Sequence, residues 1–168
     1  MKQIISIFFI AILVPSFSYA EGKLNHEAKE ATSGVEFLSP KLRALLTQEM
    51  QSLQNGMQSI IPAYVSGNWS EIEQIADKIE NSYILKQSLT DEQKKELHTS
   101  LPASFLKLDQ QFHYLAGMLR HAAKNKKSEL VGFYFSKLSE TCVSCHVQSA
   151  THRFPALGVE KQIIKDSH

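Results

Sequence analysis

Apolar residues recur at steps of three and four along four stretches of the chain, and each stretch predicts an amphipathic helix. The first begins at Ser39-Pro40, where a capping residue precedes a proline suited to the first helical position. Its apolar stripe contains Leu42, Leu46, Met50, Leu53, Met57, Ile60 and Tyr64. Gly67 follows and can take the left-handed conformation that often ends a helix.

Three further patterns predict the remaining long helices. The second is expected to begin at Ser70, where Glu73 completes a capping box, the third near Pro102 and the fourth after Ser128. A short helix from Asp91 is predicted between the second and the third. Because no stretch shows the alternation of a strand, we predict an all-α fold, an antiparallel four-helix bundle.

The N-terminal segment, residues 1–20, has a different pattern. Lys2 precedes an apolar run from Ile4 to Val14, and the segment ends in Ser18-Tyr19-Ala20. The small residues Ser18 and Ala20, at the −3 and −1 positions, suit a signal peptidase, and the apolar run is shorter than the roughly 20 residues that span a bilayer. We therefore predict a signal peptide over residues 1–20, cleaved after Ala20, and export to the periplasm without a membrane span in the mature chain.

The rest of the chain is predicted to form one helical domain over residues 38–154. Residues 21–37 are polar and aperiodic and are predicted to be a flexible N-terminal arm, and residues 155–168 a C-terminal tail. Removing Lys2 from the 18 basic residues leaves 17, equal to the 17 acidic residues. This balance argues against nucleic acid as a partner, since phosphate binding needs a basic excess.

The chain contains two cysteines, Cys142 and Cys145, and His146 follows directly. The pattern is compatible with a redox disulfide, half of a zinc site, or covalent attachment of a c-type haem. On a helix, Cys145 lies about −60° and His146 about +40° around the axis from Cys142. All three side chains therefore fit one face, as two thioether bonds and one axial imidazole require.

Zinc and redox chemistry fit less well. A structural zinc site uses four Cys or His ligands, usually as two pairs, and the sequence has no second cysteine pair. A Cys-x-x-Cys oxidoreductase places its pair at the start of a helix after a strand, whereas this pair lies deep in a helical pattern. We therefore predict one covalent haem c, held by Cys142 and Cys145, with His146 as an axial ligand of the iron.

With its haem motif at the end of a four-helix pattern, the chain resembles the class II c-type cytochromes, cytochrome c′ and its low-spin relatives. The stretches LLTQEMQSLQNGMQSI and VSGNWSEI, and the aromatic Phe112 on the third helix, carry the resemblance together with the motif. It covers about residues 38–150. Relatives commonly have an arginine four residues after the haem histidine, where this chain has Ala150 and the nearest candidate is Arg153.

The resemblance implies that the first helix packs against the haem and supplies any sixth ligand. Met50 and Met57 differ by about 20° around that helix and by about 10.5 Å along it, so at most one reaches the iron. Counted back from Gly67, Met50 falls near the position that points at the haem in similar proteins. We expect Met50 as the sixth ligand, with Met57 second; an open or differently filled sixth position remains the alternative.

These expectations predict a periplasmic monohaem electron carrier that docks transiently with redox partner proteins, and not an enzyme. The alternatives are a five-coordinate haem protein that binds NO or CO, and a haem subunit of a larger periplasmic redox complex. Members of the family commonly dimerise through their first two helices, and the resemblance allows a homodimer here.

Overall fold

The computed structural model describes residues 34–158, and this part of the chain is all-α, with five main helices packed together and no strand. The elements are a 3-10 turn at Val35–Phe37, then α1 (Pro40–Val65), α2 (Trp69–Glu80), α3 (Leu85–Ser88), α4 (Asp91–Ser100), α5 (Ala103–Lys124) and α6 (Ser128–Ser149). The predicted signal peptide, most of the predicted arm and the tail from residue 159 lie outside the described residues. No helix in the described part has both the length and the apolar character needed to cross a bilayer.

Helix α1 begins and ends as the sequence predicts. The Ser39 hydroxyl accepts a hydrogen bond from the Leu42 N–H at 3.3 Å, and Pro40 occupies the first helical position. Pro62 lies inside the helix, near its end. Gly67 has φ +71, the left-handed conformation expected of a glycine after a helix.

The start of α2 differs from the prediction. Trp69 is already helical, and Asn68 rather than Ser70 is the capping residue, since its side chain accepts from the Glu71 N–H at 3.3 Å. Helix α4, by contrast, begins at the predicted Asp91, where Thr90 and Gln93 form a reciprocal capping box.

Most of the buried side chains form one cluster, the main core. Helix α2 packs against α1 and against α5, and α5 packs against α6. The buried members of the main core are Leu53, Ile60, Ala63, Ile72, Ala76, Ile79, Phe112, Ala116, Leu119, Ala122, Ala123, Val131 and Leu138. The small alanines of α2 and α5 allow these two helices to approach closely.

A separate cluster, the second core, lies at the other end of the molecule. Its buried members are Leu38, Leu42, Leu101 and Phe105. They come from the start of α1, the start of α5 and the segments before these helices. Gly34 joins this end to α4, because its N–H donates to the Ser100 carbonyl at 2.8 Å.

Candidate haem site

The three residues of the motif lie on the second half of α6, and all three are half-buried. Cys142 packs against the main core and Cys145 against the second core. Both cysteines are free thiols. The motif therefore lies where the two apolar clusters meet.

Burial sets the protonation state of these side chains. It raises the pKa of the Cys142 thiol, and it is the main reason that the pKa of Cys145 rises to about 11, with smaller contributions from Asp109 and Cys142. Burial also lowers the pKa of His146. At neutral pH the site thus presents two S–H groups and an unprotonated imidazole, which has the lone pair that a metal ligand needs.

The turn after α6 brings an aromatic ring onto His146. The rings of His146 and Phe154 are stacked, with centroids 4.3 Å apart and planes at 14°. The Ala150 N–H donates to the His146 carbonyl at 2.9 Å, and the Phe154 N–H donates to the Ala150 carbonyl at 3.1 Å. Backbone hydrogen bonds therefore hold Phe154 beside the motif.

One hydrogen bond fixes how α1 and α6 face each other. The Tyr64 hydroxyl donates to the Ser128 carbonyl at 3.0 Å, and a Cβ added at Gly132 would lie 3.1 Å from the Tyr64 hydroxyl oxygen. The end of α1 thus meets the start of α6. Tyr64 marks the flank of α1 that faces α6, and Gly132 marks the flank of α6 that faces α1.

Counting residues from this contact gives the distance of each predicted ligand along its helix. The interval from Met50 to Tyr64 on α1 equals the interval from Gly132 to His146 on α6. Each interval amounts to about four turns, or about 21 Å along the helix, and to about 40° around it. If the two helices run antiparallel, as the proposed bundle requires, this spacing would put Met50 and His146 at similar heights along the bundle.

Met57 lies at another level. It is seven residues from Tyr64, about 10.5 Å along the helix, and in an antiparallel arrangement it would be level with Ser139 on α6. Met57 is half-buried and packs against the main core, whereas Met50 is 39% exposed. Which of the two methionines could reach an iron bound at the motif therefore stays a prediction, with Met50 first and Met57 second.

The predicted apolar stripe of α1 is wrong at one position: Glu49 is buried, 2% exposed, and Met50 is not. The carboxylate of Glu49 accepts hydrogen bonds from the Ser82 hydroxyl (2.8 Å) and from the backbone N–H groups of Tyr83 (3.0 Å), Ile84 (2.6 Å) and Leu85 (3.3 Å). These donors satisfy the oxygens of a buried polar group. Glu49 thus fixes one side of α1 to the connection after α2, and sequence reasoning missed it.

A second polar group near the motif is His113 on α5, whose side chain is 12% exposed. Its Nδ1 lies 2.7 Å from the Ile79 carbonyl oxygen, and its Nε2 lies 3.5 Å from the Asp109 carboxylate. The carbonyl accepts from Nδ1–H, which assigns the proton to that nitrogen. His113 therefore lies at the boundary of the main core and contacts α2.

The motif residues fit a covalently attached haem. They supply two free, neutral thiols and a neutral imidazole on one half-buried side of a helix, with apolar side chains from both cores around them. These are the donors of a c-type haem site. In residues 34–158, no group of three or more His, Cys, Asp or Glu side chains is arranged to hold a metal ion.

A scan against protein-family models, a search of curated proteins and a search of solved structures each found no match to this chain.

Proposed function

We propose that the protein is a periplasmic monohaem c-type cytochrome that transfers electrons, built as an antiparallel four-helix bundle of α1, α2, α5 and α6. The observation that supports it is the position of Cys142, Cys145 and His146, half-buried on one side of α6 where the two apolar cores meet. A signal peptide over residues 1–20 would deliver the chain to the compartment in which c-type haem is attached.

In this proposal each thiol forms one thioether bond. The Sγ atoms of Cys142 and Cys145 each add to one carbon of a haem vinyl group, and each thiol hydrogen passes to the other vinyl carbon, so no electron is gained or lost. His146 would hold the iron through one ring nitrogen, and Met50 on α1 is the proposed sixth ligand. Ligation by a histidine and a thioether would favour low-spin iron with a raised potential.

The bound haem would supply a one-electron couple between ferrous and ferric iron. The protein's own residues would exclude water from it and set its potential through the axial ligands and burial. Contacts with redox partner proteins would be brief, as is usual for the small interfaces of electron transfer.

The attachment is tested by expressing the full chain together with a cytochrome c maturation system. We expect one covalent haem per chain, resistant to extraction with acidified acetone and measured as its pyridine complex. Cys142→Ala and Cys145→Ala should each weaken or abolish that resistance, and the double variant should lose it. Haem that resists extraction equally in all three variants would contradict the proposal.

A second candidate function, binding of CO or NO at an open sixth position, is favoured by one observation. Met50 is 39% exposed, whereas the apolar side chains of Leu53 and Phe112 are buried in the main core near the motif. Optical spectra with and without CO separate the two functions. A low-spin spectrum unmoved by CO, and lost in Met50→Ala, supports the electron carrier; a high-spin spectrum that shifts with CO supports gas binding.

A further inference from the structure

We propose that Phe154 is a positioning residue for His146: its ring fixes the rotation of the imidazole and shields it from water. This inference rests on the proposed function, since it concerns the axial ligand of the same site. Phe154 lies eight residues after His146, outside the motif and outside α6.

The contact between the two rings is close and nearly parallel. Their centroids are 4.3 Å apart and their planes differ by 14°. Offset stacking of this kind contributes about 0.5–1.5 kcal/mol beyond the area that it buries. The contact therefore favours one orientation of the imidazole around the bond that joins it to the His146 backbone.

The backbone of the turn holds Phe154 in this place. The Ala150 carbonyl accepts from the Arg153 N–H at 2.9 Å and from the Phe154 N–H at 3.1 Å. Pro155 follows directly, and a residue before proline is restricted in its backbone conformations. Phe154 is thus presented to His146 by a short turn with few conformations.

Stacking and iron ligation use different parts of an imidazole. A metal binds at a ring nitrogen, in the plane of the ring, whereas Phe154 covers a face of the ring. The two contacts are therefore compatible, and Phe154 would act on His146 while His146 binds iron. The orientation of an axial imidazole plane sets the splitting of the iron d orbitals, which electron paramagnetic resonance measures as the anisotropy of the g values.

Phe154 also separates His146 from solvent, because one of its faces packs on the imidazole while the side chain as a whole is 42% exposed. Water near an axial ligand stabilises the ferric state, which carries one more positive charge than the ferrous state. Loss of the ring should therefore lower the reduction potential.

The test compares variants of the haem-loaded protein. We expect Phe154→Ala to change the g-value anisotropy and to lower the midpoint potential, and Phe154→Tyr, which keeps the stacked ring, to retain both near the original values. Phe154→Leu, which keeps an apolar side chain without a ring, should resemble alanine in the g values and the original protein in potential. The matched control is Phe133→Ala, which removes an exposed phenylalanine from α6.

The proposal is overturned if Phe154→Ala and Phe133→Ala have the same g values and the same potential. A second measurement does not need haem: the ring-proton NMR shifts of His146 in the haem-free full chain. Removing the stacked ring in Phe154→Ala should move these shifts, and unchanged shifts would contradict the contact itself. A chain that carries no covalent haem would instead contradict the proposed function, so the two failures are distinct.

Discussion

The two apolar clusters of this protein differ in how completely they are closed. In the main core, Ile72, Ala116 and Leu138 are 0% exposed, and long helices cover them on several sides. The second core has four buried residues, surrounded by half-buried apolar side chains from α1, α4 and α5 and the segments beside them: Val35, Leu45, Leu46, Leu89, Leu97 and Leu106. The main core is fully enclosed, whereas the second core has many partly exposed apolar side chains at its edge.

The motif lies beside the less closed cluster, the second core, where an apolar prosthetic group could cover the half-buried side chains. Burying apolar surface contributes about 25 cal/mol per Å², so half-buried leucines gain stability when another apolar surface covers them. A residue in the closed main core gains nothing in this way. The comparison indicates that the main core maintains the fold, and that the proposed haem would add stability at the end with the motif.

The largest expected effect is on the main core. Leu138→Ala should lower the free energy of unfolding by about 3–4 kcal/mol, because it leaves a cavity at a fully buried position. Leu46→Ala, at the half-buried edge of the second core, should cost about 1 kcal/mol. Urea titrations followed by circular dichroism measure both. Equal losses would show that the two clusters are equally closed.

The next effect concerns the thiol at the boundary of the cores. With its pKa raised to about 11, Cys145 stays protonated as the pH rises through 8 and 9 and loses its proton only near pH 11. In haem-free Cys142→Ala, alkylation of Cys145 by iodoacetamide at pH 8 should be about 100-fold slower than in the urea-unfolded chain. The rate should rise about tenfold per pH unit up to pH 11. Equal rates in the folded and unfolded chains would mean that this thiol is not buried.

The third largest effect is expected at Glu49, whose carboxylate connects α1 to the chain segment after α2. Glu49→Ala removes the carboxylate that accepts from the Ser82 hydroxyl and from the N–H groups of Tyr83 and Ile84, and should cost about 2–3 kcal/mol. Glu49→Gln keeps one acceptor oxygen and should cost less. The control is Gln48→Ala, an exposed neighbour, with an expected change within about 0.5 kcal/mol. Denaturant midpoints in the wrong order would show that the carboxylate is not the acceptor.

The smallest effect tests the hydrogen bond between the end of α1 and the start of α6. Tyr64→Phe removes the hydrogen bond to the Ser128 carbonyl and should cost about 1 kcal/mol. Tyr114→Phe, at an exposed tyrosine of α5, should leave thermal stability unchanged. A Tyr64→Phe variant as stable as this control would show that the hydrogen bond from Tyr64 to Ser128 does not stabilise the packing of α1 on α6.

Sequence patterns predicted the helices well where the signal was local. Ser39-Pro40 and the Thr90–Gln93 box mark helix starts because each cap involves residues three apart or fewer. The box at Ser70 fails for an equally local reason: Asn68 caps first, so Trp69 and Ser70 are already inside the helix. Helix α3 was not predicted, because its four residues are too few to show a repeating apolar pattern.

The error at Glu49 has a different cause. A stripe of apolar residues favours Met50 at this level, yet Glu49 is seven residues after the fully buried Leu42 and equally suited to face inward. Its carboxylate is satisfied by donors from a distant part of the chain, on a turn where Ser82 has φ +59. Sequence spacing on one helix contains no information about such a partner. The motif itself needed none, since Cys142, Cys145 and His146 are brought together by a single helix.

The two halves of helix α6 differ in their surroundings: the first packs into the main core, and the second carries the motif. Its first half supplies Val131 and Leu138 to the main core, so amide hydrogens there should exchange with solvent only when the whole domain unfolds. Its last two turns carry the motif at the less closed end, and their amides can exchange through local opening at a smaller free energy. Fraying of these turns would expose both thiols to an attaching enzyme while the rest of the molecule stays folded. The first half of α6 would then stay folded while its last two turns open to allow haem attachment.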